Sequence, residues 1–256
     1  MPRVAHLNVT PVKSTALHHP NQIRLERYGA VGNREFFFAD GNGRRLSGSK
    51  KALLMPIRAD YDASNERLTL RLPDGIVVRG SAAANGEALT VDFYGRGVSA
   101  HVVEGEWEEA LTRCVGHPVR LARVDRAGDG IDARPVTLVS LASVEELSRQ
   151  GGRARPVDAR RFRMLIEVDG CAPHEEDSWG GRRVGIGQAV VRIGDPVPRC
   201  VITTLDPETG APDFPTLKVI RSYRGVSSNN ELPFGVYGDV VEPGAVRVGD
   251  EVELLD

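Results

Sequence analysis

The sequence predicts a mainly β chain with a few helices, of the α+β class. Three observations predict it: apolar residues alternating in short runs, turn-forming clusters between those runs, and only three stretches with helical spacing.

Glu35-Phe36-Phe37-Phe38 reads as a strand, and Asp40-Gly41-Asn42-Gly43 as a hairpin-type turn into Arg44-Arg45-Leu46. Leu68, Leu70 and Leu72 alternate with Thr69 and Arg71, which gives one apolar strand face. Pro73-Asp74-Gly75 then turns the chain into Ile76-Val77-Val78. A helix is predicted from near Gly105, because Trp107, Leu111, Cys114 and Val115 share a face and Gly116 stands where it would stop. Cys114 reads accordingly as a small core residue.

The polar, glycine-rich run 123–132, with Ala127-Gly128-Asp129-Gly130 inside it, suggests a boundary that divides the chain into domains 1–125 and 126–256. Residues 135–139 read as a strand. A helix follows, with Ser143 and Glu146 at capping-box spacing, Val144 and Leu147 on one side and Gly151-Gly152 as its end. Segments 162–168, 184–193 and 200–205 are strand-like, 206–210 is a turn and 216–223 a short helix. The segment 240–255 reads as two strands around a turn. Many short strands with few helices suggest a barrel or a sandwich.

With 256 residues, 41% of them hydrophobic, the chain can bury a core without disulfides or a structural metal. Thirty-three basic side chains stand against 35 acidic ones, which gives no electrostatic reason to expect nucleic acid or an anionic membrane as partner. No run approaches the roughly 20 apolar residues that a membrane helix needs. Residues 1–8 are too short and mixed for a secretory signal, so the expected location is cytoplasmic. The three cysteines form no Cys-x-x-Cys pair, which argues against a disulfide framework or a cysteine-built zinc site.

Common chemistries find little support. Gly185-Ile186-Gly187 begins like a dinucleotide fingerprint, but Val190 takes the third glycine position and the context is a strand. Neither a P-loop nor a Gly-x-Ser-x-Gly elbow is present. His18-His19 precedes Pro20 in a loop, where adjacent side chains seldom converge on one ion. His174 with Glu175, Glu176 and Asp177 reads as a solvated acidic loop rather than a cation site.

The informative segment is Pro198-Arg199-Cys200-Val201-Ile202-Thr203-Thr204-Leu205-Asp206-Pro207-Glu208-Thr209-Gly210. It sets a thiol beside a fixed positive charge, which favours a thiolate, a soft ligand for a thiophilic metal. On these residues alone, a buried inert cysteine remains open. Pro11-Val12-Lys13-Ser14, Glu176-Asp177-Ser178-Trp179, Phe234-Gly235-Val236-Tyr237 and 244–250 accompany it in the chain.

The combination resembles the MOSC family, named for the C-terminal domain of molybdenum cofactor sulfurases and including amidoxime-reducing proteins. The resemblance implies an N-terminal β-barrel-like domain packed against a C-terminal MOSC β-barrel domain. It implies a molybdenum cofactor (molybdenum-molybdopterin) with Cys200 as catalytic residue and metal ligand. Lys13, Ser14, Arg34, Arg163, Arg199 and Tyr237 would line the cofactor cleft. Because Arg160, Arg161 and Arg163 crowd together, only one of them is expected to face it. Lys13 and Arg34 could be ordinary surface charges, Ser14 a strand end, Tyr237 core packing, and Cys171 a bystander.

Departures concern the substrate. Leu165 replaces a common asparagine, Pro198 replaces a serine, and Leu46-Ser47-Gly48-Ser49-Lys50-Lys51 replaces a segment that often carries arginine or glutamine. The implied activity is reduction of N-oxygenated, N-hydroxylated small molecules. Three cysteines cannot make a four-cysteine cluster, so electrons would come from an external flavoprotein, ferredoxin or cytochrome-type donor. Two other readings stand beside it: a sulfur carrier or sulfurtransferase with a persulfide on Cys200, and a non-catalytic carrier of the cofactor.

Overall fold

The computed structural model describes residues 1–48 and 52–255, so Ser49, Lys50 and Lys51 of the segment noted above lie outside the described residues. Among the described residues the fold is mainly β with three α-helices.

The largest sheet has seven strands, in the spatial order Arg3–Leu7, Ile166–Asp169, Val136–Ser140, Pro233–Glu242, Ala189–Pro198, Arg183–Ile186 and Val252–Leu254. Its two end strands meet: Arg3 bridges Glu251, and Val252 N–H donates to the Pro2 carbonyl at 2.9 Å. The sheet thereby closes into a barrel, which leaves no long edge to aggregate. Val136–Ser140 and Ile166–Asp169 run parallel. Such a pair needs a crossover, and helix α2 (Leu141–Gln150) supplies it. Residues inside the barrel, among them Leu7, Val136, Ile166, Val184, Val191 and Val252, form one continuous core.

Four strands, Phe36–Asp40, Val119–Val124, Arg96–Val102 and Ala88–Phe93, make a second sheet. Phe36–Asp40 is apolar without alternation because both of its faces are covered. Phe36 and Phe38 join the cluster around Leu68 and Leu111, while Phe37 and Ala39 pack with Val91 and Phe93. Strands Arg58–Asp62, Arg67–Arg71 and Val77–Ser81 form a third sheet, in which Leu68 and Leu70 point inward as their alternation requires. Helix α1 (Trp107–Val115) covers this core and ends at Gly116, whose φ of 81° is the left-handed conformation of a helix C-terminus. Strands Gly244–Arg247, Gln22–Glu26 and Gly29–Ala30 form the fourth sheet, which pairs early and late parts of the chain. Among the described residues, no helix is long and apolar enough to cross a membrane.

Several local expectations need correction. The return limb of the first hairpin is no strand. Arg45 makes an isolated bridge to Ala39 before the chain leaves the sheet. Helix α2 starts at Leu141, so Ser143 lies within its first turn and is not the cap. Its hydroxyl instead donates to Glu176, and Glu176 also accepts from the Ser140 N–H at 3.2 Å. Glu176 is thus fully buried, where a solvated loop was expected.

Segment 162–168 opens as a 3-10 turn, Ala159–Phe162. Arg163 then adopts a left-handed φ of 53°, which delays the strand to Ile166–Asp169. Segment 184–193 is a hairpin turning at Gly187 rather than one strand. Segment 200–205 is a 3-10 turn, Val201–Thr204. The Thr203 and Thr204 hydroxyls donate back to the Cys200 and Val201 carbonyls and hold the chain curled. The last predicted helix stands as α3 (Thr216–Arg224).

Candidate functional site

Cys200 lies two residues past the end of strand Ala189–Pro198, and it is exposed. The residues after it act as scaffold. Besides its hydroxyl bond, Thr203 sends its backbone N–H to the Cys200 carbonyl at 3.2 Å. The Thr203 carbonyl accepts from Thr216 Oγ1 and from Arg161 Nη1. Asp206 Oδ1 accepts from the N–H groups of Glu208 and Thr209, closing the turn that ends at Gly210. At Gly210 the φ is 71°, and a Cβ would stand 2.6 Å from the Ala52 carbonyl oxygen, so only glycine lets this loop seat against the other half of the chain. Most of the motif therefore positions one thiol.

That thiol lines a cavity of about 370 Å³. Lys13, Ser14, Arg34, Arg163, Arg199, Cys200 and Tyr237 all line it, so the structure brings every sequence-predicted site residue together. Of the three crowded arginines, Arg163 reaches the cavity. Arg161 turns away to Asp213, and Arg160 to Asp158 and Glu208. Leu165 is packed into the barrel core.

The loop carrying Lys13 and Ser14 is tied internally: Thr15 Oγ1 donates to the Val12 carbonyl, and the Thr10 and Thr15 hydroxyls bond each other. Lys13 is buried and donates to the Gly130 carbonyl at 2.9 Å and to Asp132 Oδ1 at 2.6 Å. Arg34 Nη1 donates to the other oxygen of Asp132 at 2.7 Å. Gly130 is pressed so closely to Arg34 that a Cβ there would lie 1.9 Å from the Arg34 carbonyl oxygen. Arg163 Nη2 donates to the Thr15 carbonyl at 2.8 Å. Arg199 donates to the carbonyls of Phe234 and Phe162, so its charge borders the cavity while its hydrogen bonds serve the backbone.

Among the described residues, six cations (Lys13, Arg34, Arg45, Arg134, Arg163 and Arg199) face a single lining carboxylate, Asp132. Burial, helped by Arg34, pushes the Lys13 ammonium down to about 7 against the pull of Asp132. Burial likewise lowers Arg163 to about 9 and Arg199 to about 10, which leaves both charged at neutral pH. Burial alone would raise Asp132, but Lys13 and Arg34 hold it well below the usual carboxylate range. A buried excess of positive charge is costly unless something anionic answers it.

Backbone strain collects at the same place. Ser14, Arg34, Tyr94 and Arg163 all have φ between 53° and 75°, and all four line the cavity. Each such non-glycine residue costs roughly 1–2 kcal/mol, a cost that clusters where geometry serves a ligand. A second cavity, also of about 370 Å³, is lined by His6, Asn8, His19, Glu145, Asp158, Arg160, Glu167 and apolar side chains. It has no thiol, and its buried Glu167 is already met by Asn8 and His6. Cys200 and the cation excess single out the first cavity.

The family model of the MOSC domain matches residues 125–253, half of the chain. The chain belongs to the MOSC domain family. It is 38% identical over 131 residues to mitochondrial amidoxime-reducing component 1 of Mus musculus, which covers 48% of this chain and 37% of that protein. Its likeness to mitochondrial amidoxime-reducing component 1 of Homo sapiens is 28% over 227 residues, covering 84% of this chain and 64% of the human protein. A molybdenum cofactor sulfurase of Caenorhabditis elegans is 31% identical over 134 residues, covering 52% of this chain and 18% of its own length. The chain thus spans only part of each of these relatives. Among solved structures, the YUAD protein from Bacillus subtilis aligns over 99% of this chain and 96% of its own, at 14% identity and a TM-score of 0.45.

In this MOSC chain, three charged lining residues, Asp132, Arg45 and Arg134, escaped sequence reasoning. Asp132 hid in a stretch read as a linker, and Arg45 in a stretch read as a strand. The close pairing of Gly130 with Arg34 is visible only in three dimensions. The acidic-tryptophan element of the MOSC domain proves to be scaffold, since Glu176 caps α2 and Trp179 is buried in the barrel core.

Proposed function

We propose that this chain is a molybdenum cofactor-binding oxidoreductase that reduces N-oxygenated small molecules, with electrons from an external protein donor. The observation that carries the reading is the exposed Cys200 thiol in a cavity with six cations and one carboxylate. A cofactor bearing a phosphate and a thiophilic metal fits that donor set.

Cys200 is the protein ligand to the metal. Lys13, Ser14, Arg34, Arg163, Arg199 and Tyr237 hold the pterin part, and Asp132 keeps Lys13 and Arg34 aimed and apart. When bound, the cofactor supplies two-electron reduction of an N–O bond; an N-hydroxy substrate with two electrons and two protons gives the N–H product and water. Protein produced in a cofactor-competent host should contain molybdenum near one atom per chain and should turn over benzamidoxime with an artificial reductant. Molybdenum-loaded protein inert toward every N-hydroxylated substrate would sink the reading.

The chain's likeness to a molybdenum cofactor sulfurase, together with the exposed thiol, favours a second reading in which Cys200 carries a persulfide. Persulfide-selective labelling at Cys200 distinguishes it. Molybdenum binding without turnover would instead fit a cofactor carrier.

Lys13 makes anion capture pH-dependent. Its ammonium is largely neutral above about 7, so an anion entering at higher pH must first draw in a proton. Affinity for sulfate, which does not titrate in this range, should therefore fall as pH rises from 6 to 9, with proton uptake on binding. Calorimetry in buffers of different ionisation enthalpy measures both. Affinity that is flat with pH would contradict the role given to Lys13.

A further inference from the structure

We propose that Arg45 is the receptor for a carboxylate on the substrate, so that the reductase prefers N-oxygenated compounds with an anionic tail. The proposal rests on the reductase reading above. Among the described residues, every other cation of the cavity is committed. Lys13 and Arg34 share Asp132, Arg134 pairs with Asp239, and Arg163 and Arg199 donate to backbone carbonyls. Arg45 lines the same cavity, yet its Nε and Nη1 are buried without a hydrogen-bond partner among the described residues. A desolvated guanidinium edge with unused donors is a poor structural element and a good anion receptor.

Two aromatic rings hold it in place. The guanidinium carbon lies 4.9 Å from the Phe93 ring centroid and 4.6 Å from that of Tyr94. Stacking occupies the guanidinium faces; Tyr94 also hydrogen-bonds the guanidinium, and Nε and Nη1 are left without a partner among the described residues. Tyr94 adopts its left-handed φ of 57° beside this arginine.

The position favours substrate over cofactor. Lys13 lies 5.5 Å from the centroid of the same Phe93 ring, which is fully buried, whereas Tyr94 is 64% exposed. Arg45 therefore reaches from the buried wall toward the mouth, where a substrate enters. Asp132, the one lining carboxylate, is already taken by Lys13 and Arg34, so the missing anion must come from outside.

The test pairs neutral and charged versions of one scaffold. In the ligand-free protein, benzoate should bind more tightly than benzamide, and Arg45→Met should erase the difference while Arg45→Lys restores part of it. In the loaded protein, the kcat/KM ratio of 4-carboxybenzamidoxime to benzamidoxime should fall about tenfold or more in Arg45→Met, the loss expected for a charge-assisted contact. Near-UV circular dichroism establishes that each variant is folded, and Arg45→Lys serves if Arg45→Met is not. Equal binding of benzoate and benzamide by the wild type overturns the proposal, as does an unchanged ratio in the variants. A fall in molybdenum content with the ratio intact also overturns it, by assigning Arg45 to the cofactor. Wild-type protein that turns over neither amidoxime defeats the reductase reading, and the benzoate comparison still decides Arg45.

Discussion

On the proposed reading, Cys200→Ala should cut amidoxime turnover by at least about a hundredfold, because losing the proposed metal ligand must cost more than the 10–100-fold typical of outer-sphere partners. The same substitution should leave the thermal midpoint almost unmoved. The side chain is exposed and unpaired, and such surface changes stay within about 0.5 kcal/mol. Turnover with molybdenum quantified in the same preparation, alongside a thermal melt, checks both halves. Full activity in the alanine variant would remove the assignment of Cys200 as ligand. A large loss of stability would instead assign the thiol to packing, against its exposure.

Arg161→Met should have the opposite profile, with stability lost first and chemistry through it. Arg161 is 1% exposed and grips Asp213 with two bonds of 3.0 and 2.9 Å. It also donates to the Thr203 carbonyl, in the turn that seats Cys200. Asp213 is one-third exposed and would be re-solvated, so the loss comes from the charge-assisted bonds of the buried arginine, including the one to the buried Thr203 carbonyl, at a cost of about 2 kcal/mol. In a chain of this size that lowers Tm by roughly 4–8 °C. Arg161→Lys keeps the charge but not the planar fork, so it should fall in between. Differential scanning calorimetry reads the series, and a loss below about 1 kcal/mol in Arg161→Met would refute the proposed tie between this ion pair and the thiol-bearing turn.

Periodicity carried the fold where one face is buried and the other wet. Leu68 and Leu70 declare their strand by alternation, and Trp107, Leu111 and Val115 declare α1 by helical spacing. It misled where side-chain hydrogen bonds decide. Cys200 to Leu205 reads as a β run, yet the hydroxyls of Thr203 and Thr204 curl it. Ser143 and Glu146 have the right spacing for a cap, but Glu176, from another part of the chain, takes the role. The same division applies to the site. Lys13, Ser14 and Cys200 sit in short recognisable strings and were legible in order. Asp132 carries no signature, because its meaning lies in two cations, Lys13 and Arg34, that reach it from far away in sequence. Arg45 was silent for a related reason: an unused donor can be recognised only after its neighbours' bonds have been assigned.

The meeting of Arg3 with Glu251, 248 positions later, fixes when this crevice can exist. Apart from the local hairpin of Arg183–Ile186 with Ala189–Pro198, the large barrel joins strands well separated in the chain, a topology of high contact order that forms slowly. During synthesis the early strand is long out of the ribosome before its last partner emerges, and it must remain unpaired on that edge meanwhile. The basic crevice is consequently a product of the final stage of folding. Any anionic guest that needs all of its walls meets a finished protein and not a nascent one.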